Sequence, residues 1–118
     1  MKQLTFRYAT EEDAPTILSF IKELGTYENM LDEVVATEEM LRKNLFEERK
    51  AEVLFAMEDE VEIGFALFFH NFSTFLGRAG IYLEDLYVKS EYRGKGYGKA
   101  ILKKLARIAV ERGCGRLE

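Results

Sequence analysis

A chain of 118 residues has enough material for one hydrophobic core and no room for a second. Its 17 basic and 21 acidic residues give a net charge of −4, which argues against a nucleic-acid surface and suits a cationic ligand, while a single cysteine, Cys114, excludes an internal disulfide. Residues 1–10 lack an apolar leader and no run approaches the roughly 18 apolar residues of a membrane span, so no membrane partner is expected and the cytoplasm is the expected compartment.

Leu4 to Tyr8 alternates enough for a first strand, and Thr10 followed by Glu11, Glu12 and Asp13 reads as a helix start, a capping hydroxyl with acids in the first turn. Pro15 is tolerated that early. Ile17, Phe20, Ile21 and Leu24 recur at helical spacing, and Gly25 is expected to stop the helix. Residues 26–30 then form a loop, polar and aromatic together, of the kind that lines sites. Thr37-Glu38-Glu39 starts a second helix carrying Met40, Leu41, Leu45 and Phe46.

From Ala51 the period falls to two. Residues 52–57 and 61–69 read as strands joined by the acidic turn Glu58-Asp59-Glu60, residues 71–80 as a connection, and residues 81–88 as a further strand. The helix expected over 99–111 buries Ile101, Leu102, Leu105, Ile108 and Ala109, and Gly113 ends it. Phe65, Phe68, Phe69, Phe72 and Phe75 read as sheet and core aromatics. His70 has no Cys or Asp grouped near it, so neither a metal site nor a catalytic triad is expected.

Between the last strand and the last helix stands Arg93-Gly94-Lys95-Gly96-Tyr97-Gly98. Three glycines on alternate positions let the chain turn tightly with its N–H groups unobstructed, at a helix N-terminus whose dipole favours an anion. A single glycine would serve a plain turn; three point to phosphate. Two familiar phosphate loops are excluded by single residues. A Walker loop needs Ser or Thr where Ala100 stands, and a dinucleotide fingerprint needs glycine where Ile101 stands.

What remains, Arg-x-x-Gly-x-Gly between strand and helix, resembles the coenzyme A loop of the GCN5-related N-acetyltransferases (GNAT). The run Tyr82-Leu83-Glu84-Asp85-Leu86-Tyr87-Val88 through Tyr92-Arg93-Gly94, with Ile21 to Leu24 and Tyr27-Glu28, is similar to the diamine acetyltransferase group, which includes the spermidine/spermine and thialysine enzymes. The resemblance implies an α/β (α+β) fold with a mixed, mostly antiparallel central sheet flanked by helices. Residues 1–118 then form a single acetyltransferase domain, the N-terminal portion of a fold whose members continue through further strands and a tyrosine general acid.

The same resemblance implies acetyl-CoA as cosubstrate and no metal. Its pyrophosphate would rest on backbone amides from Gly94 through Lys95, Gly96, Tyr97 and Gly98 to Lys99, with Arg93 opening the motif and Lys95 or Lys99 adding charge. Its pantetheine arm would lie along Leu86, Tyr87 and Val88 like an added strand. An ammonium of pKa near ~10.4 must lose a proton before it attacks, and the family position of the base is Glu84, acting directly or through water. Tyr27, Glu28, Glu84 and Asp85 fall on amine-contact positions. Without such a role Tyr27 would pack its loop and the carboxylates would be solvated or ion-paired. Strand alternation puts Glu84 and Asp85 on opposite faces unless a bulge intervenes, so one of the two is expected in the cleft.

The activity implied is direct acetyl transfer to a primary amine of a small molecule. The polyamine enzymes carry an acid and a tryptophan where Thr74 and Leu76 stand, so a shorter diamine or a lysine- or thialysine-like amino acid fits at least as well as a polyamine. The alternative is a non-catalytic CoA-binding or assembly module. A homodimer, or a partner completing an open sheet edge, is the expected assembly.

Overall fold

The computed structural model describes residues 3–118. Four strands form one antiparallel sheet in chain order: β1 (Leu4–Tyr8), β2 (Glu52–Glu58), β3 (Val61–Ser73) and β4 (Arg78–Val88). Between β1 and β2 come α1 (Ala14–Tyr27) and α2 (Glu38–Leu41), the latter running on as a wider π turn over Arg42–Glu47. Helix α3 (Tyr97–Glu111) follows β4.

Sequence alternation explains which side chains go where. Ile17 and Phe20 of α1 and Leu41 of α2 pack on Val53, Phe55, Met57, Phe65 and Tyr87, while Ile101, Leu105 and Ile108 of α3 pack on Leu54, Ala66, Phe68, Ile81 and Val88. The sheet is therefore the middle layer of three, buried on both faces. Each fully buried Phe or Ile contributes on the order of 1.5–3 kcal/mol. The Phe20 ring stacks on Phe65 with centroids 5.2 Å apart, which seats α1 over the centre of the sheet.

The entry to α1 is locked by Asp13, which accepts both guanidinium nitrogens of Arg7 at 2.9 and 3.0 Å and the Thr10 N–H at 2.7 Å. Those donors, Arg7 foremost, hold its carboxyl below the usual range. Gly25, expected to stop α1, lies inside it. A Cβ there would stand 3.0 Å from Val34 Cγ2 and 3.3 Å from the Leu31 Cα, so the glycine permits a close approach of the segment after the helix. The helix continues to Tyr27, and the chain turns at Asn29 with φ of 58°.

Strands β3 and β4 are longer than the periodicity suggests. Residues 71–80, expected as a connection, mostly remain in the ladder, with Asn71 opposite Gly80 and Ser73 opposite Arg78, and only residues 74–77 turn; Phe72, on the strand, and Phe75, in the turn, expected as sheet and core aromatics, both face solvent instead of the core. Polar and small residues broke the alternation there, but strand pairing does not require apolar side chains. The chain beyond α3 runs parallel to the start of β4: Ile81 N–H donates to Arg116 O at 2.9 Å and Leu83 N–H to Glu118 O at 2.8 Å. The sheet is thus mixed at this margin, as the fold class implied. Among the described residues no helix is long and apolar enough to cross a membrane.

Candidate active site

Strand β4 carries a bulge in its second half. Leu67 lies opposite Asp85, yet the next residue, Phe68, lies opposite Leu83, so Glu84 is an extra residue without a cross-strand mate. The C-terminal segment bonds to β4 only as far as Leu83; from Glu84 to Val88 the outer edge has no backbone partner among the described residues. The Lys89 N–H bond to Ile63 O (2.9 Å) sets the phase of the ladder, making Val88 and Gly64 a non-hydrogen-bonded pair. It follows that Tyr87 exchanges its main-chain bonds with Phe65, while Leu86 and Val88 turn theirs outward. Of the three residues proposed for the pantetheine arm, two present main-chain groups to the open edge and Tyr87 does not.

The glycine loop stands beside that edge. Gly94 (φ 82°) and Gly96 (φ 79°) are both left-handed, and a Cβ at either would meet nothing within 4 Å. The space above the loop is open, and the glycines are demanded by backbone conformation. Gly96 is the N-cap of α3 and supplies no side-chain acceptor, so the N–H groups of Tyr97, Gly98 and Lys99 precede the first intrahelical bond, Ala100 N–H to Gly96 O at 3.0 Å. Left-handed residues alternating with ordinary ones make a concave nest of N–H groups, and the α3 dipole adds to its anion preference. The loop opens onto a cleft of about 430 Å³ bordered by Leu86, Val88, Tyr92, Tyr97 and the last turn of α1.

A second cleft, about 450 Å³, adjoins on the other side of the bulge. Glu28, Glu33, Glu84 and Asp85 line it, against an apolar wall of Ile21, Leu24 and Val34. Leu24 and Glu28 border both clefts. Alternation alone would have sent one of the adjacent acids elsewhere; the bulge brings both to this cavity. Burial raises the Asp85 carboxyl above its ordinary value, and the charges of Glu84 and Glu28 raise it further. Four carboxylates with no lysine or arginine among the lining residues make this a place for a cation.

The remaining candidates have specific neighbours. Tyr27 ends α1 and is 65% exposed; its ring borders the glycine-loop cleft, and the cation over it is the Arg93 guanidinium, 4.4 Å from the centroid. Of the Tyr27–Glu28 pair, only Glu28 reaches the acidic cleft. Lys99 is exposed on the first turn of α3, and the Lys95 ammonium stands 3.8 Å from Glu58 Oε2. Glu58 itself, read from sequence as part of an acidic turn, is 6% exposed at the end of β2. An acid within Glu-Asp-Glu looks solvated, and only the packing of α3's first turn against the hairpin reveals otherwise. His70 lies between Gly80 O (3.1 Å) and an Arg112 nitrogen (2.9 Å) and lines neither cleft; contrary to the expectation that no cysteine stands near it, the chain beyond α3 brings Cys114 Sγ to 3.7 Å from its Nδ1.

The sequence model of the acetyltransferase (GNAT) family matches residues 17–118. The chain is 41% identical over 126 residues to a thialysine N-epsilon-acetyltransferase of Bos taurus, covering 99% of this chain and 74% of that protein. It is 30% identical over 158 residues to an L-ornithine N5-acetyltransferase of Arabidopsis thaliana, covering 95% and 69%. A crystal structure described as a "predicted acetyltransferase with acetyl-CoA" from Clostridium acetobutylicum superimposes with a TM-score of 0.75 at 18% identity, over 98% of this chain and 79% of that one. That last likeness concerns the fold.

Proposed function

We propose, from the premise that this chain belongs to the acetyltransferase (GNAT) family, that it transfers the acetyl group of acetyl-CoA directly to a side-chain primary amine of a small lysine-, thialysine- or ornithine-like amino acid or short diamine. It is an acyltransferase by family. The finer reading rests on one observation: an anion-binding nest and a cleft of four carboxylates adjoin on the two sides of a bulged strand end.

The donor supplies an acyl thioester. In this reading the N–H groups from Gly94 to Lys99 take its diphosphate, the outward groups of Leu86 and the N–H of Val88, whose carbonyl is held by Arg93, align its arm, and an outward N–H of that edge polarises the thioester carbonyl. The acidic cleft draws in an ammonium by charge. An amine attacks only when neutral, so a proton must leave first. Glu84, exposed on the bulge, accepts it directly or through water, and Asp85, held more basic than an ordinary carboxylate by its surroundings, shares the load. Holding both reactants at one strand end makes the attack unimolecular: the nitrogen bonds the acetyl carbon, the carbon–sulfur bond breaks, and CoA departs as a thiolate that takes up the second proton shed by the nitrogen. The names of the two relatives, which act on side-chain amines of amino acids, support this substrate class over a long polyamine.

The test is steady-state CoA release from acetyl-CoA with thialysine, lysine, ornithine and short diamines, alongside calorimetry with CoA and with pantetheine. Release accelerated by a side-chain amine, with CoA bound more tightly than pantetheine, is the expected result. No acceleration by any amine of the panel would overturn the reading.

A further inference from the structure

The carboxylate of Glu58 is almost fully buried, 6% exposed, at the last position of β2, opposite Leu4 of β1 and Val61 of β3. A carboxylate so placed is tolerated only where donors or cations meet it. Two of those partners come from the glycine loop. The Tyr97 hydroxyl donates to Glu58 Oε2 at 2.5 Å, and the Lys95 ammonium stands 3.8 Å from the same oxygen. Lys95 also lies over the rings of Tyr92 (5.4 Å) and Tyr97 (5.9 Å). The lysine in the middle of the motif is thus turned toward the β2–β3 hairpin, its charge opposed before any anion arrives, and the first residue of α3 is moored to the same carboxylate.

We propose that Glu58 is a positioning residue for the coenzyme's diphosphate: through Tyr97 it fixes the entry of α3, and through Lys95 it withholds a cation from the loop, leaving the anion to the main-chain N–H groups. This rests on the reading of the loop as the coenzyme site. Its consequence runs against the simple view of Lys95 as a phosphate ligand. Glu58→Gln keeps an acceptor for the Tyr97 hydroxyl but releases Lys95, so the loss of an acid should strengthen the binding of an anion. Tyr97→Phe leaves the ion pair and loosens the helix entry, so it should weaken binding without altering its salt dependence.

The experiment is calorimetric titration of the 118-residue chain and its variants with CoA and with pantetheine, at low and high salt. Glu58→Gln is expected to bind CoA about two- to fivefold more tightly at low salt, the range a partly screened ion pair allows, with the gain fading at high salt and absent for pantetheine. Adding Lys95→Met to that variant should cancel the gain. Lys95→Met alone, which leaves Glu58 and the helix entry in place, should change CoA affinity by less than about twofold, because the lysine is already paired. Equal or weaker CoA binding by Glu58→Gln with unchanged salt dependence overturns the proposal, and so does a tenfold or greater loss (~1.4 kcal/mol) with Lys95→Met alone. Wild-type protein that binds CoA no better than pantetheine would instead refute the coenzyme site itself, so the two failures are distinguishable.

Discussion

The Arg93 Nε donates to the carbonyl of Val88 at 2.8 Å, folding the first residue of the glycine motif back onto the end of the strand it follows. The same guanidinium lies 4.4 Å from the Tyr27 ring centroid and 5.2 Å from that of Tyr87. Arg93 is therefore a strut between β4, the end of α1 and the loop. A flat group with several donors can serve all three; a lysine cannot.

Arg93→Lys keeps the charge and loses both the Nε bond and the stacked plane. The expected cost is about 1 kcal/mol of stability, measured by urea denaturation, and roughly tenfold in CoA affinity. If Arg93 bound phosphate by charge alone, the variant would bind CoA as tightly as the wild type.

Gly96→Ala forces a Cβ into a left-handed conformation in open space, so its penalty is conformational, about 1–2 kcal/mol. A chain that relieves this strain must turn the N–H groups of the nest. Thermal melting should fall by several degrees, and CoA binding should weaken by more than the stability loss explains, in calorimetry at a temperature where both proteins are folded.

Asp85 predicts a pH dependence of definite sign. Its folded pKa is raised above the unfolded value by burial and by Glu84 and Glu28, so the unfolded chain releases this proton at lower pH than the folded one. The stability penalty is absent below the unfolded value, sets in as pH rises toward the folded value, and is complete above it. Asp85→Asn should melt higher than wild type at neutral pH, with the difference vanishing in acid, while kcat/KM for the amine falls about ten- to a hundredfold. A variant less stable at neutral pH would contradict the cleft electrostatics.

Asp13 runs the other way. Arg7 and Thr10 depress its folded pKa, so the stability it contributes is present above the unfolded value and is lost as pH falls through the folded value. Asp13→Asn should cost about 1 kcal/mol at pH 7, a modest figure because Arg7 is 38% exposed to water, and almost nothing at strongly acid pH. Chemical denaturation across the acid range measures both arms.

The order of strands and helices could be read because alternation and helical spacing are local properties: β1, the start of α2 and the stripe Ile101, Leu105, Ile108 and Ala109 of α3 fall where the spacing indicates, whereas Leu102, expected in that stripe, lies one position round the helix and is 44% exposed. The glycine loop was equally legible, since left-handed positions require their residue type. Features created by packing were not. Gly25 looked like a stop because a helix interior seldom needs glycine, and only the approach of Leu31 and Val34 supplies the need. Glu58 looked solvated because its neighbours in sequence are acids, whereas its neighbours in space are Tyr97 and Lys95. That Glu84 and Asp85 share one cavity depends on pairing with β3, a strand whose register no short stretch of β4 encodes.

The bulge in β4 also sets the parity of everything downstream. Were Glu84 instead paired opposite Leu67, Asp85 would fall opposite Ala66, Leu86 opposite Phe65 and Tyr87 opposite Gly64, so the tyrosine would be driven beneath α3 while the leucine faced α1. A ladder ironed flat with the same residues would thus invert the strand end, exchanging inside for outside at each position, with every side chain chemically intact. Loss of Glu84 itself would leave Asp85 to Val88 opposite their present mates and remove only the kink, so the irregularity rather than the residue count keeps this half of the molecule the right way out.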